Sequence, residues 1–117
     1  MLIQQLSNNY SVCAQPTPTD LASLSSMGFV TLICNRVEGE EPGMPSLSVM
    51  RQAAEQAGLS FHCIPMSGPF CSEDQYQSLQ QIMAASNGPV LAYCRSGKRS
   101  ALLWQSMSNL SNQQKRA

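Results

Sequence analysis

The chain has 117 residues, enough for one hydrophobic core and too few for two. Hydrophobic residues make up 43% of it and charged residues only 12%, about half the usual share, so disorder is excluded and solubility rests on uncharged polar groups. Seven cations balance seven anions, which argues against a whole-surface attraction for nucleic acid or an anionic membrane.

The first nine residues hold neither a basic start nor an apolar stretch with a cleavage signal, and no apolar run reaches the length of a membrane span. A soluble, cytoplasmic protein is expected, with neither nucleic acid nor membrane as partner. Residues 11–14 are a short strand candidate. Thr17 then caps a helix, with Pro18 at its first position, Asp20 in its first turn, and Leu21, Leu24 and Met27 at helical spacing before Gly28. Residues 29–34 (FVTLIC) form a near-continuous apolar run, as in a strand buried on both faces. Residues 35–45 carry two glycines, two prolines and three glutamates and read as a loop.

Ser46 caps the next helix, which presents Leu47, Met50, Ala54 and Ala57 on one face and ends at Gly58. Residues 60–65 (SFHCIP) are a third strand, with His62 a strand or sheet-edge residue, and 66–71 a loop. Ser72 and Gln75 form a capping-box pattern ahead of Tyr76, Leu79 and Met83. Residues 89–93 (PVLAY) are a fourth strand, 94–99 a short polar loop, and Ser100 opens a last helix to about Leu110 with Leu103, Trp104 and Met107 as core. Residues 111–117 read as a frayed polar tail. Strands alternating with helices predict an α/β fold: one domain over 1–117, with a mostly parallel sheet of about four strands flanked by helices. Such sheets bind ligands beyond the carboxyl ends of their strands, where loops 35–45, 66–71 and 94–99 emerge.

The five cysteines are an odd number, and no pair has metal-ligand spacing, so reduced thiols, no metal site and no cofactor are expected. Cys13, Cys34 and Cys63 lie in apolar runs and read as small buried hydrophobes. Cys94 is different. It begins Cys94-Arg95-Ser96-Gly97-Lys98-Arg99-Ser100, which places three of the seven cations within five residues between a buried strand and a helix. Gly97 lets the backbone curl with its amides inward, and the helix adds its unpaired N–H groups and the positive end of its dipole. The product is an anion cradle built from Arg95, Ser96, Gly97, Lys98 and Ser100. The same field favours a Cys94 thiolate as nucleophile, and Arg99 can grip an oxyanion through two parallel N–H bonds. Cys71, on a loop expected to face Cys94, is a candidate disulfide partner for it under oxidation.

The loop resembles two families. Protein tyrosine phosphatases carry Cys-x5-Arg with a glycine three residues after the cysteine, and rhodanese-type sulfurtransferases carry shorter loops such as Cys-Arg-x-Gly-x-Arg. Gly97 fits both, while Arg99 has the rhodanese-like spacing and Ser100 occupies the phosphatase arginine's place. Gln15-Pro16, Gly28-Phe29, the stretch from Asn35-Arg36 to Glu40-Glu41, Ile64-Pro65 and residues 88–97 together resemble the bacterial beta-lactamase-hydrolase-like phosphatase domain family, over about residues 2–110. The resemblance implies a dual-specificity-phosphatase-like fold, Cys94 as nucleophile, Arg99 as anion-binding residue, Arg36 as part of the charged substrate loop, and a phosphate-bearing substrate. Some members are associated with sulfur-oxidising enzymes.

Two features depart from the phosphatase pattern. Tyr93 stands where histidine usually precedes the nucleophile, and loop 66–71 lacks the aspartate that serves as general acid. Glu41 and Asp74 are the candidate acids. Glu38, Glu40 and Glu41 can all reach the site from loop 35–45, though a solvated face is the simpler expectation for the three. The leading expectation is a cysteine-dependent phosphatase. The alternatives are a sulfurtransferase carrying a persulfide on Cys94, with a sulfane-sulfur substrate, and an anion-binding module without turnover.

Overall fold

The structure, a computed structural model, describes the backbone of residues 1–116 and the side chains of residues 1–109. Strands β1 (Ile3–Ser7), β2 (Tyr10–Cys13), β3 (Thr31–Cys34), β4 (Ser60–Cys63) and β5 (Val90–Tyr93) alternate, after the first two, with helices α1 (Leu21–Ser26), α2 (Leu47–Gln56), α3 (Glu73–Ala85) and α4 (Lys98–Arg116). They form one five-stranded sheet in the order β1-β2-β5-β3-β4, parallel except for the antiparallel β1–β2 pair. None of the described helices is long and apolar enough to cross a membrane.

The sheet has one strand more than the sequence analysis expected. The addition is β1, an edge strand joined to β2 by a turn at Asn8 and Asn9. Its Gln4 and Gln5 face solvent and dilute the apolar signal, while Ile3 and Leu6 pack on opposite faces of the sheet.

The helix starts follow the expected chemistry. Thr17 and Asp20 form a reciprocal capping box around a 3-10 turn that leads into α1, Ser46 Oγ accepts from the Val49 amide, and Ser72 with Gln75 makes a second box. The last helix begins at Lys98, two residues before the expected start, and its helical backbone runs past Leu110. The expected frayed tail falls on residues whose side chains, and at Ala117 the backbone, lie outside the described residues.

Period-two alternation assigns each face of β5. Leu91 and Tyr93 point into a core shared with Leu21, Leu24, Met50 and Ala54 of α1 and α2. Val90 and Ala92 point into a second core with Leu79, Leu103 and Met107 of α3 and α4, flanked by Trp104 stacked on Tyr10 at 4.6 Å. The protein is therefore a three-layer α/β/α sandwich with β5 at its centre.

Leu79 is the only fully buried residue of α3. Leu79→Ala should lower unfolding free energy by about 2–5 kcal/mol in urea denaturation, because the cavity lies between α3, α4 and the sheet.

Candidate functional site

The site forms where β5 hands the chain to α4. Tyr93 ends the central strand, four residues form the bend, and Lys98 begins the helix. The first N–H groups of a helix have no carbonyl to bind. Here they turn toward Cys94 Sγ, with the Gly97 amide at 3.0 Å. Burial would push the Cys94 thiol up, but the amides of Ser100, Ser96, Arg99 and Gly97 together hold it below the ordinary cysteine value. Gly97 makes this curl with φ at +96°, a left-handed conformation that favours glycine.

The other four cysteines go the opposite way. Burial raises Cys34, Cys63 and Cys71, and it pushes Cys13 up to about 12 with help from the charge at Cys94. Cys94 is thus the one cysteine whose surroundings favour a thiolate.

Arg99 leans across the mouth. Its Nη1 donates to the carbonyl of Met66 at 2.5 Å, to that of Asn35 at 3.5 Å and to Glu40 Oε1 at 2.9 Å. Its Nη2 pairs with Glu40 Oε2 at 2.5 Å. Arg99 lies close enough to Cys94 for the two charges to interact, and its own pKa is raised, first by the bonds to Glu40. The Glu40 carboxyl is held down to about 2, chiefly by Arg99 and against its partial burial, with the Val37 amide and Arg36 assisting. Cys94 itself is only 1% exposed, enclosed by its own loop amides and this guanidinium.

Asn35, the residue after β3, ties the ends of three strands to α4. Its amide donates to the Tyr93 carbonyl at 2.8 Å and its carbonyl accepts from the Met66 amide at 3.1 Å. Its Nδ2 donates to the Ile64 carbonyl at 2.9 Å, and its Oδ1 accepts from Ser100 Oγ at 2.7 Å. Tyr10 Oη adds a bond to the Ser100 carbonyl at 3.0 Å. In the sequence Asn35 stands only within the family resemblance and loop 35–45; its signal is an amide side chain directly after the near-continuous apolar run 29–34.

Several expected site residues stand elsewhere than foreseen. Ser100 is fully buried with its hydroxyl proton on Asn35, so it supports the cradle from beneath and lines no opening. Arg36 is 1% exposed, and its guanidinium is engaged by Glu40 at 2.9 Å, Gln15 at 3.0 Å and Glu41 at 3.4 Å, so it fastens the loop and does not face solvent. Glu41 bridges Arg36 and Arg95, the latter at 2.7 Å. Asp74 lies exposed in the first turn of α3. Arg95, Ser96 and Lys98 remain exposed around the loop.

Glu40, expected on a solvated face, is instead the acid bound to Arg99. Cys71 and Cys94 are both free thiols here, and Cys71 packs against the α3–α4 core with its Sγ donating to the Ser72 carbonyl at 3.5 Å. His62 lies exposed on the edge strand β4, away from the site. Among the described residues no three His, Cys, Asp or Glu side chains are grouped to hold a metal ion.

Comparison with known proteins bears on this geometry. A beta-lactamase hydrolase-like protein of Agrobacterium fabrum is 38% identical over 100 residues, which cover 86% of this chain and 23% of that protein. A candidate phosphatase of Neisseria meningitidis, known as a crystal structure, is 34% identical with a TM-score of 0.81, covering 89% of this chain and 74% of that one. The core catalytic domain of the PP-IP phosphatase SIW14 from S. cerevisiae shares the fold at 18% identity, with a TM-score of 0.68 over 94% of this chain and 66% of that one. The fold is thus that of the protein-tyrosine-phosphatase-like and dual-specificity-phosphatase-like proteins. A family model matches residues 3–111, so the chain belongs to the family of phosphatase-like domains of beta-lactamase hydrolase-like proteins.

Proposed function

We propose that this domain is a cysteine-dependent phosphatase, hydrolysing phosphate monoesters through a phosphocysteine intermediate. The observation that carries the reading is the depressed Cys94 thiol, held by the amides that open α4 with Arg99 beside it. Its placement in a phosphatase-like family supports the same conclusion.

In the proposed reaction a sulfur lone pair of Cys94 attacks phosphorus. The ester P–O bond breaks, and its electron pair leaves on the alcohol oxygen. Arg99 and the loop amides take the charge on the non-bridging oxygens. Water then attacks phosphorus and the P–S bond breaks. Inorganic phosphate leaves, the thiolate is restored, and the water proton passes to solvent.

No carboxylate occupies loop 66–71 after β4, Glu41 is bound by two arginines, and Asp74 lies on the first turn of α3. A positioned general acid typically contributes about 10²–10⁴-fold. Without one, turnover depends on leaving groups stable as anions, which favours aryl over alkyl phosphates. Sulfur transfer and anion binding without turnover have no support among the relatives described above.

Two measurements test this reading. Purified protein should release phosphate from p-nitrophenyl phosphate at least about 10²-fold faster than from an alkyl phosphate. Cys94→Ser should lower the aryl rate by more than about 10³-fold and Arg99→Lys by about 10²-fold. Absence of release from any aryl phosphate, or full activity in Cys94→Ser, overturns the proposal.

The pH dependence has a defined sign. A depressed thiol pKa means that thiolate is present above that pKa and is lost as pH falls through it. The 240 nm absorbance difference between wild type and Cys94→Ser should titrate below the ordinary midpoint of about 8.5, and the rising limb of kcat/KM should follow the same midpoint. Gly97→Ala should move both upward by disturbing the left-handed bend.

A further inference from the structure

The loop between β3 and α2 brings its own anion to the cradle. Glu40 Oε1 accepts from the Val37 amide at 2.8 Å and from Arg99 Nη1 at 2.9 Å. Its Oε2 accepts from Arg36 Nε at 2.9 Å and from Arg99 Nη2 at 2.5 Å. Each carboxylate oxygen therefore takes two donors, and two of the four belong to the guanidinium beside Cys94. A planar pair of N–H groups facing two oxygens is how arginine holds a carboxylate or a phosphoryl group. Arg99 is thus already engaged as it would be by an incoming anion, and its side chain and that of Glu40 are each only 19% exposed.

We propose that Glu40 is an autoinhibitory latch, an internal carboxylate that occupies Arg99 until a phosphate dianion displaces it. The inference rests on the reading of the cradle as an anion site. Displacement is feasible because Arg99 does not depend on Glu40 for its place. Nη1 also bonds the backbone carbonyls of Met66 and Asn35, which remain when the carboxylate leaves. Arg36 keeps Gln15 and Glu41 as partners, so the buried charge is not abandoned. A dianion offers Arg99 more charge than the carboxylate does, and it can also take the loop amides, which Glu40 does not contact.

Calorimetric titration with inorganic phosphate tests the latch without requiring turnover. Glu40→Gln and Glu40→Ala should each bind phosphate at least about tenfold more tightly than wild type, since a charge-assisted bond to Arg99 no longer has to be broken. Glu55→Gln, on the exposed face of α2, should bind as wild type does. Unchanged or weaker binding in the Glu40 variants overturns the proposal and makes Glu40 a residue that orients Arg99. So does the absence of phosphate binding in every form.

In the unaltered chain at mildly alkaline pH, where inorganic phosphate is the dianion, saturating phosphate should shift the carbon-13 NMR resonance of the Glu40 carboxyl as it gives up its two bonds to Arg99. An unmoved resonance also overturns the latch. The two readings separate cleanly. Tighter phosphate binding without aryl phosphate hydrolysis removes the phosphatase reading and keeps the latch. Hydrolysis with unchanged phosphate affinity does the reverse.

Discussion

The N–H groups that begin α4 have no helical acceptor, and the structure gives them a sulfur atom. Much else in the molecule follows from that substitution. The sulfur must sit at the end of a strand aimed at the helix start, so Cys94 directly follows β5. It must also be walled by neighbours on both sides, so β5 lies in the middle of the sheet with β2 and β3 beside it. From the β2 side, the Gln15 amide reaches the Arg95 carbonyl at 3.5 Å, and the Cys13 backbone lies 3.5 Å from where a side chain on Gly97 would begin. From the β3 side comes Asn35. The thiols of Cys13 and Cys34, at the ends of these flanking strands, are raised chiefly by burial. Cys94 differs by its amides, not by its exposure.

The short spacing between Cys94 and Arg99 has a geometric consequence. Successive residues on a helix turn by about 100°. Placing the arginine one residue earlier than in the Cys-x5-Arg loop therefore sends it in a different direction and gives the next position to Ser100. The structure uses both results. Arg99 reaches over the ends of β3 and β4 to the Asn35 and Met66 carbonyls. Ser100 turns inward and closes on Asn35, which locks the helix start against the strand ends. The sequence spacing was legible, but the inward turn of Ser100 was not, because nothing local to residue 100 marks Asn35 as its partner 65 positions away.

The same contrast runs through the fold. Helix starts were legible because Thr17, Ser46 and Ser72 carry their signal within three residues. The parallel β3, β4 and β5 were legible as apolar runs between helices. β1 was missed because two of its five residues are glutamine and its evidence is a pairing with β2, a tertiary fact. Glu40 was read as solvated because charge in a glycine- and proline-rich loop is usually so, and only folding brings Arg99 to it across 59 positions. Cys71 was placed near Cys94 by loop order alone. Loop order assigns an edge of the sheet but not the direction of a side chain, and Cys71 packs against the α3–α4 core.

Arg36 explains why an acidic loop can be both anchored and movable. A guanidinium at 1% exposure is unfavourable unless its charge and donors are met. Its Nε donates to Glu40 and its Nη1 to Gln15, while Nη2 makes no hydrogen bond and faces the Glu41 carboxylate at 3.4 Å, so two different loops supply the partners. Removing any one partner leaves two. The anchor of the loop is therefore not the same contact as the one between Glu40 and Arg99, although one carboxylate takes part in both. An incoming anion that captures Arg99 meets a carboxylate whose other arginine retains Glu41 and Gln15. The cost of releasing Glu40 is confined to that single side chain, and the buried charge beneath it remains paired throughout.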